Sequence, residues 1–154
     1  MPISANQPAP EFALPDETGQ VRKLSDYRGQ PVVLYFYPKD DTPGCTTQAC
    51  NFRDDYPVYQ EAGVVILGVS PDNAKSHTKF KEKFELPFTL LADEGHAVCD
   101  AYGVWGPKKF MGKEYEGVLR TTFLIGPDGG IIKVFENVKP DGHSKEVLAA
   151  LPQG

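Results

Sequence analysis

The sequence predicts an α/β fold, and three observations carry that prediction. Val32-Val33-Leu34-Tyr35-Phe36-Tyr37 and Val64-Val65-Ile66-Leu67-Gly68-Val69-Ser70 are continuous apolar runs without polar alternation, as expected of strands buried on both faces of a parallel sheet. Between them lies a stretch of helical length, opened by Thr42-Pro43 and closed by Gly63. Near the C-terminus, Thr121–Ile125 and Ile131–Phe135 flank the turn Pro127-Asp128-Gly129-Gly130, an antiparallel hairpin pattern.

Each element can be justified in order. Residues 11–24 read as a short hairpin or extended arm turning at Asp16-Glu17-Thr18-Gly19, and Ser25–Gly29 as one helical turn ended by glycine. Pro38 stops the first buried strand, and a loop, Lys39-Asp40-Asp41, leads to a helix with Thr42 at the N-cap and Pro43 at N1. That helix is predicted to reach about Ala62, with a kink or break near Tyr56 caused by Pro57. After the second strand, Asp72 or Asn73 caps a helix to about Phe84, with Phe80 and Phe84 on one face. Residues 87–116 are less regular: an apolar run at Phe88–Leu91, a helix near His96–Tyr102, then a loop rich in Gly and Lys. Ser144 to Leu151 forms a closing helix. Without the N-terminal arm and the 87–116 region the order is β-α-β-α-β-β-α, a βαβ half followed by a ββα half. The expected fold is therefore thioredoxin-like, with an N-terminal extension and an insertion before the last hairpin. A right-handed crossover lays helix 43–62 over one face of the sheet.

The bulk properties exclude several classes of function. A chain of 154 residues suits a single domain, 1–154, with one core. The net charge of -5 and pI of about 5.2 argue against nucleic acid as a partner, which requires a basic face, and against an anionic membrane surface. No apolar run approaches the ~20 residues of a membrane helix. The opening Met1–Pro8 has neither the basic region nor the apolar stretch of a signal peptide, so the chain is expected to be cytoplasmic. Three cysteines, Cys45, Cys50 and Cys99, do not make a structural disulfide framework. They leave reactive thiols, metal ligands or inert buried thiols as readings.

Cys45 lies after a parallel strand and in the first turn of the following helix, where α/β sheets hold ligands. Unpaired N–H groups and the partial positive charge of a helix N-terminus stabilise an anion such as a thiolate, the nucleophilic form of cysteine. Gly44 leaves the backbone beside the sulfur uncovered for a small substrate, and the Thr42 hydroxyl is close enough in sequence to bond the thiolate or a substrate oxygen. Cys50 follows five residues later. In an intact helix the two Cα atoms are roughly 8.6 Å apart, beyond the ~7 Å limit of a disulfide. If the two cysteines react, the first turns must unwind, which helix ends do at low cost. The pair suits a site that works in two steps and rearranges between them. His77 and His143 sit in polar segments expected to be exposed and receive no role.

The run Tyr37-Pro38-Lys39-Asp40-Asp41-Thr42-Pro43-Gly44-Cys45-Thr46, followed by Cys50, resembles the active-site motif of the peroxiredoxins, most closely their bacterioferritin-comigratory-protein (PrxQ) branch. The likeness extends from Pro8-Ala9-Pro10-Glu11-Phe12 through Arg120–Ile125. It implies a peroxidatic Cys45, a Thr42 that holds the peroxide oxygen, a Pro38 that shields the site from water, and an Arg120 that steadies the thiolate and the developing charge. Pro38, Thr42, Gly44 and Arg120 would form the peroxide site. Cys50 would be the resolving cysteine. Cys45 would become a sulfenic acid and then a disulfide with Cys50, which thioredoxin would reduce by exchange. The resemblance implies no metal, haem, flavin or nucleotide cofactor, and a monomer.

Cys99 falls outside the motif and reads as a buried helix thiol, with a second resolver as the minority reading. No cysteine follows it, which excludes a C-terminal resolver donated across a dimer. Two rivals are disfavoured. General disulfide oxidoreductases use C-x-x-C, closer than the spacing here. A zinc module of Cys45, Cys50, His96 and Cys99 would lack a paired knuckle.

Overall fold

The computed structural model describes residues 2–151, so residue 1 and residues 152–154 of the expected domain lie outside the described residues. An N-terminal hairpin pairs β1 (Ala13–Pro15) with β2 (Val21–Lys23) and is followed by a single 3-10 turn, Leu24–Tyr27. The first buried run becomes β3 (Val32–Phe36), with all five residues buried. It pairs in parallel with β4 (Val65–Ser70) through α1 (Pro43–Glu61). Next come α2 (Ala74–Phe84), β5 (Thr89–Ala92), α3 (Ala97–Ala101), and the strands β6 (Trp105–Phe110) and β7 (Lys113–Val118). The hairpin of β8 (Thr121–Ile125) and β9 (Ile131–Phe135) and then α4 (His143–Ala150) complete the chain.

The central sheet has the order β5-β4-β3-β8-β9. β3 is its middle strand, parallel to β4 and antiparallel to β8. The expected thioredoxin-like order is therefore present, with the extension before β3 and the insertion before β8. Alternation along β3 divides the core in two, because successive side chains of a strand point to opposite faces. Val33, Tyr35 and Tyr37 pack with Cys45, Ala49, Phe52 and Tyr59 of α1, Phe80 of α2 and Val147 of α4. Val32, Leu34 and Phe36 pack with Phe12, Leu14, Cys99 and Tyr102 on the other side. Phe52 is fully buried, with its ring 4.9 Å from that of Tyr35; truncating such a side chain to alanine costs about 3–5 kcal/mol. Gly68 interrupts the apolar run of β4 for a steric reason. It lies opposite Tyr35, and a Cβ there would come within 2.9 Å of the Tyr35 ring and of Leu90.

Four expectations are corrected. The Gly- and Lys-rich segment is not a loop but a two-stranded ribbon, with Trp105 opposite Val118 and Phe110 opposite Lys113. It turns at Met111-Gly112, both at positive φ (50° and 81°), as a tight hairpin requires. Its lysines and glutamates are poor strand formers and masked the pairing. Residues 89–91 of the Phe88–Leu91 run belong to β5, a fifth strand of the central sheet on its parallel side. α1 runs unbroken through Pro57. Pro57 lies near its exposed end, and the turns around it are held by Phe52 and by Tyr59, whose hydroxyl donates to the Ser144 carbonyl at 2.6 Å. Finally, His77 and His143 are buried, not exposed. Their sequence neighbours are polar, but His77 shares the inner face of α2 with Phe80, and His143 packs edge-on against Phe52 and Phe135. Among the described residues no helix is long and apolar enough to cross a membrane.

Candidate active site

The chain leaves β3 at Pro38, crosses the loop Lys39–Asp41 and enters α1 with Cys45 in the first turn. Thr42 occupies the N-cap with extended backbone, as predicted, but its side chain does not cap the helix. The hydroxyl donates instead to the Lys39 carbonyl at 2.9 Å. Pro43 has no N–H, and the N–H groups of Gly44 and Cys45, in the first turn, have no intrahelical acceptor and none in the Thr42 side chain. They supply the positive end of the helix at the sulfur.

Cys45 is 1% exposed and packs in the core layer beneath α1. Arg120 Nη2 donates to its sulfur at 3.3 Å, while Nη1 of the same guanidinium donates to Gln48 Oε1 at 2.6 Å. Sheet register explains this meeting of residues 75 apart in sequence. β8 runs antiparallel to β3 with Thr121 opposite Phe36, so the residue before β8 arrives where β3 ends and α1 begins. Gly44 contributes room for it: a Cβ there would lie 3.2 Å from Arg120 Nη2 and 3.4 Å from Pro140. The space beside Gly44 is thus occupied by these two groups. Pro38 is half-buried at the start of the loop.

Three residues missed by sequence reasoning belong to this environment. Gln48 is fully buried, and its Nε2 has no hydrogen-bond partner. Its position three residues after Cys45, on the same helix face, was the available signal. Lys108 donates from Nζ to the Val118 carbonyl at 2.9 Å. Burial holds its pKa below the ordinary lysine value, the Arg120 charge lowers it further, and Cys45 opposes both. His143 bonds Thr122 Oγ1 at 2.8 Å and Glu146 Oε1 at 2.9 Å. Burial lowers its pKa below the ordinary histidine value despite the Glu146 bond. No local pattern marks Lys108 or His143; each reaches the region through the fold.

Cys50 is a free, half-buried thiol further along the intact α1, and Cys45 is also free. In that helix the pair stands at the separation roughly 8.6 Å implied by helix geometry. Cys99 lies across the sheet from Cys45, in the other core layer. Burial pushes its pKa well up, and the adjacent Asp93 carboxylate adds to this, which keeps it a protonated and unreactive thiol. His96 stacks on Trp105 at 3.9 Å. Among the described residues no group of three His, Cys, Asp or Glu side chains is arranged to hold a metal ion.

A cysteine at a helix N-terminus, touched by a guanidinium brought in from beside a distant strand, is an arrangement that can attack a small electrophile as thiolate and stabilise the anion that leaves. Residues 5–134 match the AhpC/TSA family. Peroxiredoxin Bcp of Bacillus subtilis is 51% identical over 98% of this chain and 96% of its own. A bacterioferritin comigratory protein of Xanthomonas campestris, studied for its alkyl peroxide reduction activity, superposes with a TM-score of 0.86 at 40% identity, covering 90% of this chain and 88% of that one. Peroxidoxin BcpB of Mycobacterium tuberculosis superposes with a TM-score of 0.86 at 35% identity, covering 98% and 99%. The chain therefore belongs to the AhpC/TSA family, within the bacterioferritin-comigratory-protein (PrxQ) branch of the peroxiredoxins.

Proposed function

We propose that this chain is a thiol peroxidase that reduces hydrogen peroxide and organic hydroperoxides through Cys45. The observation that carries the reading is the contact of Arg120 Nη2 with Cys45 Sγ at 3.3 Å in the first turn of α1. The thiolate attacks one peroxide oxygen, an S–O bond forms and the O–O bond breaks. The released hydroxide or alkoxide takes a proton and leaves as water or alcohol. The Arg120 guanidinium neutralises charge that moves from sulfur to the leaving oxygen, a role suited to a fixed donor in a site shielded from water. Thr42 has committed its hydrogen to Lys39. Its oxygen therefore offers lone pairs, which accept the O–H of the hydroperoxide. Pro38 shields the site, and Gly44 lets Arg120 reach the sulfur.

The Cys45 sulfenic acid condenses with the Cys50 thiol, releasing water and forming the Cys45–Cys50 disulfide. For this the first turns of α1 unwind, breaking the Arg120 contacts to Cys45 and Gln48 and exposing Gln48 and Ala49. An external dithiol, thioredoxin in this reading, reduces the disulfide by exchange and is itself oxidised. The cycle runs within one cytoplasmic monomer of a single domain.

The test is to mix reduced protein with one equivalent of hydrogen peroxide, count free thiols and map disulfides by peptide. Rapid loss of two thiols with a Cys45–Cys50 bridge supports the reading. A Cys45–Cys99 bridge would displace Cys50 as resolver, and slow oxidation spread over all three cysteines would end the case for catalysis.

A further inference from the structure

The loop that carries Pro38 and Thr42 is tied to α2 by a buried polar cluster that the peroxidase chemistry does not use. The Asp40 carboxylate accepts from Tyr37 Oη at 2.6 Å on Oδ1, and from Ser76 Oγ at 2.8 Å on Oδ2. His77 Nδ1 lies 2.6 Å from the same Oδ2. His77 is fully buried and its other nitrogen, Nε2, lies 2.9 Å from the Leu91 carbonyl of β5. A carbonyl only accepts, so Nε2 carries a hydrogen. A lone pair on Nδ1 would not face a bare carboxylate at this distance, so a proton lies between Nδ1 and Oδ2. The result is a short hydrogen bond that leaves the buried Asp40 side chain satisfied.

The cluster also holds one particular peptide plane. The Asp40 N–H donates to Asp72 Oδ2 at 2.6 Å, and Asp72 Oδ2 also accepts from Ser70 Oγ at 3.1 Å. The carbonyl of that same Lys39–Asp40 peptide receives the Thr42 hydroxyl at 2.9 Å. A peptide unit is planar, so whatever fixes its N–H end and the following side chain also aims its oxygen. Asp41, the next residue, has a left-handed φ of 57° and a carboxylate that accepts from Lys83 Nζ at 2.8 Å. Burying a polar cluster here adds little stability over apolar packing; what it supplies is a fixed orientation.

We infer that His77, Asp40 and Asp72 are positioning residues for peroxide reduction: they hold the Lys39–Asp40 peptide so that the Thr42 oxygen stands as an acceptor beside Cys45. The inference rests on the reading of Thr42 as the group that holds the peroxide.

The experiment compares two reactions of Cys45 in the full chain. Oxidation by hydrogen peroxide needs a positioned Thr42, whereas alkylation by iodoacetamide needs only the nucleophilic sulfur. His77→Gln is expected to slow oxidation about tenfold, in line with the rate cost of small misplacements, and to leave alkylation within about twofold. Ser76→Ala removes one bond to Asp40 and keeps the pair; it should give a smaller loss of the same kind, and carries the test if His77→Gln does not fold. In a Thr42→Val background His77→Gln should cause no further loss, since residues acting through one group are not additive. Equal slowing of both reactions, or losses that multiply in the double variant, would overturn the positioning role while leaving Thr42 in place. If Thr42→Val itself leaves oxidation unchanged, the reading of Thr42 fails first and the inference falls with it.

Discussion

Replacing Arg120 with methionine tests the active site at its most informative contact. The side chain is half-buried and holds two partners, Cys45 Sγ at 3.3 Å and Gln48 Oε1 at 2.6 Å. Two unit charges at the sulfur distance would attract by about 5 kcal/mol at an effective dielectric near 20. A hydrogen bond to a charged group is worth less in net terms, about 1.5–3 kcal/mol. Part of that attraction is already present in the resting thiolate and does not lower the barrier from it. A net loss of about 2 kcal/mol of transition-state stabilisation remains, which is roughly a 30-fold fall in the second-order oxidation rate. Arg120→Lys keeps the charge but cannot fork to both partners, so its rate should fall between the two. The methionine variant also leaves Gln48 with neither end bonded, because its Nε2 already lacks a partner. A stability loss of about 1–3 kcal/mol should accompany the kinetic effect, so rates must be read where the variant is folded. The assay is rapid mixing with peroxide, quenching by alkylation and mass measurement of the Cys45 peptide. A folded Arg120→Met protein oxidised within twofold of the parent rate would refute the assignment of Arg120 to the reacting sulfur.

Other expectations follow from the same geometry. Cys50→Ser should keep the oxidation step but lose one thiol per peroxide instead of two, with the Cys45 sulfenic acid trapped by a dimedone probe; a disulfide still forming at the parent rate would remove Cys50 as resolver. Pro57→Ala should raise stability in urea unfolding, because it restores an N–H inside a helix. It should leave the rate of disulfide formation unchanged within about twofold, since α1 runs unbroken past it and the opening occurs at the other end. Gly68→Ala should destabilise by about 1–3 kcal/mol, measured by the same unfolding, because its Cβ would meet Tyr35 and Leu90 at 2.9 Å. Burial holds the folded pKa of His143 below the ordinary histidine value of 6.5. Between that folded value and the unfolded one, the unfolded chain binds more protons, so stability rises with pH. The contribution is whole above pH 6.5 and is lost as pH falls towards the folded value. Urea unfolding of the parent should weaken over this window more than that of His143→Gln, and equal slopes would count against it.

Much of the fold and the centre of the site could be read locally. The buried runs of β3 and β4, the Thr42-Pro43 start and the Gly63 stop of α1 are written in neighbouring residues, because burial on both faces and helix ends each impose a composition on a short window. That was enough to put Cys45 at a strand end and in a helix's first turn. Elsewhere the local signal was weak or misleading. The lysines and glutamates of the β6–β7 ribbon concealed strands that are held by register and by the Met111-Gly112 turn. Pro57 signalled a break that the packing of Phe52 and Tyr59 overrides. His77 has polar sequence neighbours that suggest exposure, yet it lies on the buried face of α2 with Phe80.

By itself, then, the sequence determined the α/β order, the position of Cys45 and the spacing that forbids a Cys45–Cys50 bond in an intact helix. The tertiary structure alone decided what surrounds the sulfur. Arg120 reaches Cys45 because β8 is antiparallel to β3 with Thr121 opposite Phe36, Cys99 is separated from it by the sheet, and Asp40 meets His77 across the loop and α2. The physical reason is one of range. Caps, turns and periodicity act over a few residues and leave their mark in composition, whereas a contact between distant residues exists only once strand register and crossover have brought them together.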